Sequence, residues 1–151
     1  MMNKTLKAVT ITTTLLLGTV GGIITTPTTV EAQATTLIIV QNLLANGSFV
    51  TVEQEHPTLG NARIIEENGF RYLEFTQDFT TAMGPEVQVI LYRNGSIPVK
   101  IKEEDYINLA PLKNFEGAQR YQLPQNLDLS EFKSVGIWCR KFNVTFGYAT
   151  L

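Results

Sequence analysis

From Phe49 onward the chain is a succession of short runs rich in β-branched and aromatic residues, each closed by turn residues. That pattern points to antiparallel sheet. No run sustains the 3.6-residue period of a packed helix. Asn68-Gly69 separates Ala62-Arg63-Ile64-Ile65 from Phe70-Arg71-Tyr72-Leu73-Glu74-Phe75, and Asn94-Gly95 separates Val87-Gln88-Val89-Ile90-Leu91-Tyr92 from Ile97-Pro98-Val99-Lys100-Ile101. Both dipeptides accept the positive φ angles of a two-residue type I′ turn, so both predict hairpins. Asn46-Gly47 precedes a strand predicted over residues 49–54, and further strands are expected over 120–123, 134–142 and 144–149. Residues 103–116 lack clear periodicity and hold Pro111, which reads as a long connection with a helical turn. Leu37-Ile38-Ile39-Val40 and Leu43-Leu44 are too apolar for a free tail and read as an added strand or a short covering helix. The expectation is an all-β chain: a single antiparallel β-sandwich, Ig-like in plan, of about seven or eight strands.

The N-terminus has a different grammar. Lys4 and Lys7 precede an apolar stretch from Ala8 to Ile24, which ends before Ala32-Gln33-Ala34. Positive residues, an apolar run and small residues, in that order, make a signal peptide with cleavage after Ala34. Five Thr and three Gly dilute the apolar stretch, against the roughly 20 apolar residues a stable span needs, so no membrane span is expected in the mature chain. The organisation is then residues 1–34 as signal peptide, 35–46 as a lead-in segment and 47–151 as one domain. The protein is expected to be secreted or periplasmic.

Composition then removes whole classes of chemistry. The 151 residues hold one Cys and one His, so an intramolecular disulfide, a thiolate-built zinc cage and a His-rich metal site are excluded. A net charge of -2 gives no basic footprint, so no nucleic-acid partner is expected. A Ser-His-acid site would have to use His56, and no Gly-x-Ser-x-Gly elbow accompanies it. Blue copper needs two His beside the Cys.

What is left centres on Cys139. In Ser134-Val135-Gly136-Ile137-Trp138-Cys139-Arg140-Lys141-Phe142, alternation puts Cys139 on the face of Val135 and Ile137, with Trp138 and Phe142 on the other. Two readings stay open. A buried thiol is a small hydrophobe. An exposed one beside Arg140 and Lys141 would be activated towards thiolate, and exported proteins seldom keep an idle free thiol. His56, in Glu55-His56-Pro57, reads as a turn histidine or as a haem ligand with Cys139 or Met83 opposite. Phe142, Phe146 and Tyr148 read as core.

Taken in order, several segments resemble the DM-thirteen domain family, a relative of the DOMON β-sandwich domains. They are Gly47-Ser48-Phe49, His56, Gly60, Leu73-Glu74-Phe75, Phe79, Gly84-Pro85, Gly117-Ala118-Gln119-Arg120-Tyr121-Gln122-Leu123-Pro124 and Val135-Gly136-Ile137-Trp138-Cys139, followed by Phe142, Phe146 and Ala149-Thr150-Leu151. The resemblance implies a DOMON-like sandwich proposed for extracytoplasmic electron transfer. It also implies that Cys139 acts as a redox thiol or holds a prosthetic group such as haem. The family usually has Asp after the Gly-Pro pair, where this chain has Glu86. A redox partner would be a separate protein, and the chain itself a monomer or a Cys-linked dimer. The rival function is a non-enzymatic binding module for carbohydrate, a cell-surface component or a protein, with Cys139 structural.

Overall fold

A computed structural model describes residues 40–151; the predicted signal peptide and residues 35–39 of the lead-in lie outside the described residues. The elements in chain order are β1 (Gln41–Thr51), β2 (Thr58–Leu59), β3 (Asn61–Glu67), β4 (Phe70–Phe75), β5 (Thr80–Thr81), β6 (Val87–Tyr92), β7 (Tyr106–Pro111), β8 (Gln119–Gln122), β9 (Ser134–Cys139) and β10 (Val144–Thr150). Short 3₁₀ turns occupy Glu103–Asp105 and Leu129–Glu131, and there is no α-helix among the described residues. Eight strands form one antiparallel sheet in the order β7-β6-β9-β10-β1-β3-β4-β8, and β2 pairs with β5.

β1 folds this sheet over on itself. Residues 41–48 pair with β3, whereas residues 49–51 pair with β10. A strand that changes partner partway makes a corner, and two sheet halves then face each other. The result is sandwich-like and nearly closed. Phe49, Leu73, Phe75, Phe79, Leu91, Tyr121, Ile137 and Phe146 fill the space between the halves. Phe49 lies 5.3 Å from the rings of both Phe75 and Phe79, which fixes the corner against the core.

The Asn68-Gly69 hairpin forms as predicted: Glu67 pairs with Phe70, and φ is 51° at Asn68 and 78° at Gly69. The Asn94-Gly95 hairpin does not form. β6 pairs with β7 instead, and residues 93–105 run back as a strap over the outer face of β6, β9 and β10. Ile97 and Ile101 are buried under this strap with Ile90, Tyr92 and Trp138. Their apolar spacing mimics a strand because one side of an irregular segment is covered. Gly136 makes room for it, since a Cβ there would meet Ile97 Cδ1 at 2.7 Å.

β7 was hidden in the sequence by Pro111. As the outer strand of the sheet, β7 tolerates a residue that donates no hydrogen bond. β1 starts earlier than predicted, at Gln41, so Leu43 and Leu44 belong to a strand, with both side chains exposed. β9 stops at Cys139, leaving Phe142 in the turn and 61% exposed rather than in the core. Phe146 is buried and Tyr148 packs against the strap cluster, as expected of core residues.

Candidate functional site

Because the strap covers one face and the sandwich interior the other, all six residues of β6 and all six of β9 are buried. Cys139 is the last residue of β9 and sits between Val87 of β6 and Val144 of β10. Its side chain joins Val135 and Ile137 in the main core, and Trp138 points into the strap cluster, as alternation requires. The thiol is 1% exposed, and its Sγ–H donates to the Pro85 carbonyl at 3.0 Å. Pro85 and Glu86 are themselves exposed. The sulfur therefore lies in the core at the end of β9, hydrogen-bonded to a solvent-facing turn.

That turn is fastened to the turn leaving β9. The Arg140 N–H donates to the Glu86 carbonyl at 3.1 Å, and Arg140 Nε reaches Glu86 Oε2 at 3.1 Å. Glu86 holds φ at 54°, a left-handed conformation that Asp or Asn adopts more readily than Glu. The departure noted at this position therefore stores backbone strain in the covering turn. Arg140 is committed to Glu86, and Lys141 lies 5.7 Å over the Phe142 ring. Both cations expected beside the thiol from the sequence are thus engaged elsewhere.

Asn143 organises the other side. With φ at 51° it reverses the chain between β9 and β10. Its side chain accepts from the Trp138 indole at 3.0 Å and from the Ile101 N–H at 3.1 Å, and donates to the Ile101 carbonyl at 3.0 Å. One amide thus ties the strap, the β9–β10 turn and the residue next to Cys139 together. Sequence reading passed over Asn143. An Asn between two strand-like runs, where a left-handed residue is needed, was the available signal.

His56 lies in the loop after β1, half-buried, with Nδ1 bonded to the Glu53 carboxylate. This hydrogen bond holds the Glu53 carboxyl below its usual range. The imidazole stacks on Phe146 at 4.4 Å and 13°. Phe146 also abuts Gly84, where a Cβ would meet the ring at 2.9 Å. Cys139 and His56 therefore share one end of the sandwich through Phe146 and the Gly84-Pro85 turn, without a hydrogen bond between them.

Cys139, as arranged, does not offer a haem ligand, since the open direction at Sγ is taken by the Pro85 carbonyl; His56 holds Glu53 through Nδ1, and Met83 is 78% exposed. Among the described residues no cluster of three metal-ligating side chains occurs, and no helix is long and apolar enough to cross a membrane.

The family model described as electron transfer DM13 matches residues 48–151. No curated protein and no solved structure matches the chain. The matched range contains the corner at Phe49, the covering turn and Cys139.

Proposed function

The chain belongs to the electron transfer DM13 family, and from that premise we propose that it is an exported redox domain whose working group is the Cys139 thiol. The observation that carries this reading is the position of the sulfur: buried at the end of β9, with its S–H on a carbonyl of the exposed Pro85-Glu86 turn. Displacing that turn breaks the S–H···O=C hydrogen bond, the Arg140 N–H to Glu86 carbonyl bond and one surface ion pair, and lifts Gly84 off Phe146. An exposed pair contributes about 0–1 kcal/mol and a hydrogen bond about 1 kcal/mol, so opening is a local event, small beside global unfolding.

Once uncovered, the thiol loses its proton to solvent, and the thiolate attacks a disulfide of a separate exported redox protein. A bond forms between Sγ of Cys139 and one partner sulfur while the partner's S–S bond breaks. The second partner sulfur leaves as a thiolate and takes up a proton. Attack by that sulfur on the mixed disulfide reverses the step. In the forward step the Cys139 sulfur rises by one oxidation unit, from thiol to disulfide level, and the partner's leaving sulfur falls by one; the covering turn decides when.

Glutathione disulfide and intact-mass analysis test the reading. The folded protein, starting at Thr35 after cleavage, is expected to form one adduct, absent in Cys139→Ser and formed faster in Glu86→Ala. An adduct that appears only under denaturing conditions would make Cys139 a structural thiol.

A further inference from the structure

The redox reading leaves two of the matching segments unexplained, those around Glu74 and Arg120. Their inward residues Leu73, Phe75 and Tyr121 are core, but their outward residues build a ladder across the opposite half of the sandwich. Asn46 of β1, Arg63 of β3, Glu74 of β4 and Arg120 of β8 stand side by side in register. A cleft of about 550 Å³ opens over Arg63, Glu74, Thr76, Gln77 and Arg120. A second cleft of about 240 Å³ shares Arg63 and Thr76 with it and continues over Asn46, Ser48 and Asn61. Four strands at the usual spacing make this groove about 14 Å wide.

The charges in the groove compensate one another. Arg63 binds Glu74 at 2.8 Å, Arg120 Nε lies 3.1 Å from the other Glu74 oxygen, and the end of Arg120 is bonded to Glu67. Its guanidinium lies 3.7 Å over the Tyr72 ring, which holds it flat. Arg120 Nε is buried without an aligned acceptor. Below this row, Ser48 donates to Asn61 at 2.7 Å and Thr76 accepts from the Asn61 N–H at 3.0 Å. The groove therefore presents fixed donors and acceptors, interleaved, with no free cation for an anionic ligand.

We propose that this groove binds a neutral, hydroxyl-rich chain, a segment of uncharged glycan. Each sugar hydroxyl both donates and accepts, which suits a surface where guanidinium, carboxylate, amide and hydroxyl groups alternate. An anion would have to displace Glu74 from both arginines. Tyr72 is capped by Arg120 and offers no ring face for stacking, so binding is weak, in the millimolar range.

Nitrogen-edited NMR titration with cellohexaose, chitohexaose and xylohexaose tests this. At least one should give saturable shifts in the Arg63 and Arg120 side-chain signals and the amides of residues 74–77. In Glu74→Gln the neutral chain should bind about tenfold more weakly, the equivalent of one good hydrogen bond, and oligogalacturonate should begin to bind. Asn46→Ala and Gln77→Ala, which disturb no ion pair, serve if Glu74→Gln does not fold. No shift with any of the three sugars, or tighter binding of oligogalacturonate than of neutral sugar by the wild type, would overturn the proposal. Cys139 plays no part in it, so its failure leaves the redox reading standing.

Discussion

Asn143→Ala tests whether one side chain locks the strap to the Cys139 end of the sandwich. The substitution removes three hydrogen bonds, two to Ile101 and one to the Trp138 indole, whose residue is 4% exposed. Lost bonds of this kind cost about 1 kcal/mol each, and more where a buried donor is left unsatisfied. Alanine must also hold φ near 51°, a left-handed conformation that costs a non-glycine residue about 1–2 kcal/mol. Water recovers part of the loss at Ile101, so the net expectation is about 3 kcal/mol. Asn143→Gly keeps the backbone conformation and loses the bonds, and should be about 1 kcal/mol less damaging than alanine. Equilibrium urea unfolding, followed by the fluorescence of the single tryptophan, measures both variants. The slope of free energy against urea should stay unchanged. A cost below about 1 kcal/mol for alanine would refute the keystone role, given the size of the bonds invoked.

Thr145→Val should stabilise the domain by about 1 kcal/mol, because the Thr145 hydroxyl is buried without a partner in β10 and valine has the same shape; a loss of stability in thermal unfolding would contradict this. Glu86→Asp should raise the melting temperature, keeping the charge opposite Arg140 while easing a left-handed residue by up to about 1 kcal/mol. Glu53 and Glu67 titrate below their usual 4.5, chiefly through hydrogen bonds from His56 and Arg120 respectively. A depressed folded-state value means that the unfolded chain binds more protons, so their stabilisation is present above about pH 4.5 and is lost as pH falls through the folded values. Stability measured against pH should decline below that point, and the decline should be shallower in His56→Gln.

The elements legible in the sequence were those whose pattern has one physical cause. Asn68-Gly69 fixes a two-residue turn locally, and alternation through Val135, Ile137 and Cys139 separates two faces of β9 whether one or both are buried. Asn94-Gly95 misled because an apolar segment after a turn dipeptide need not pair; Ile97 and Ile101 are buried by lying across a sheet. β7 escaped notice because only its place at the sheet edge makes Pro111 harmless. At the site, the burial of Cys139 and the shared end of the sandwich with His56 were not readable, since residues 83 positions apart are joined only by tertiary contacts. The Pro85 carbonyl, which decides access to the thiol, is a backbone atom and leaves no side-chain signature beyond Gly84-Pro85.

The urea dependence of thiol exchange at Cys139 tests the central claim most directly, and the chain has no other cysteine to confuse the signal. The rate of reaction with an aromatic disulfide would be followed from zero urea up to the unfolding transition. If the thiol is reached by displacement of the Gly84-Pro85-Glu86 turn, the rate at low urea should be nearly independent of denaturant, because local opening exposes little surface, and should rise only near global unfolding. A rate that climbs from zero urea with the full slope of global unfolding would mean that Cys139 reacts only when the sandwich comes apart, and the redox role would fall.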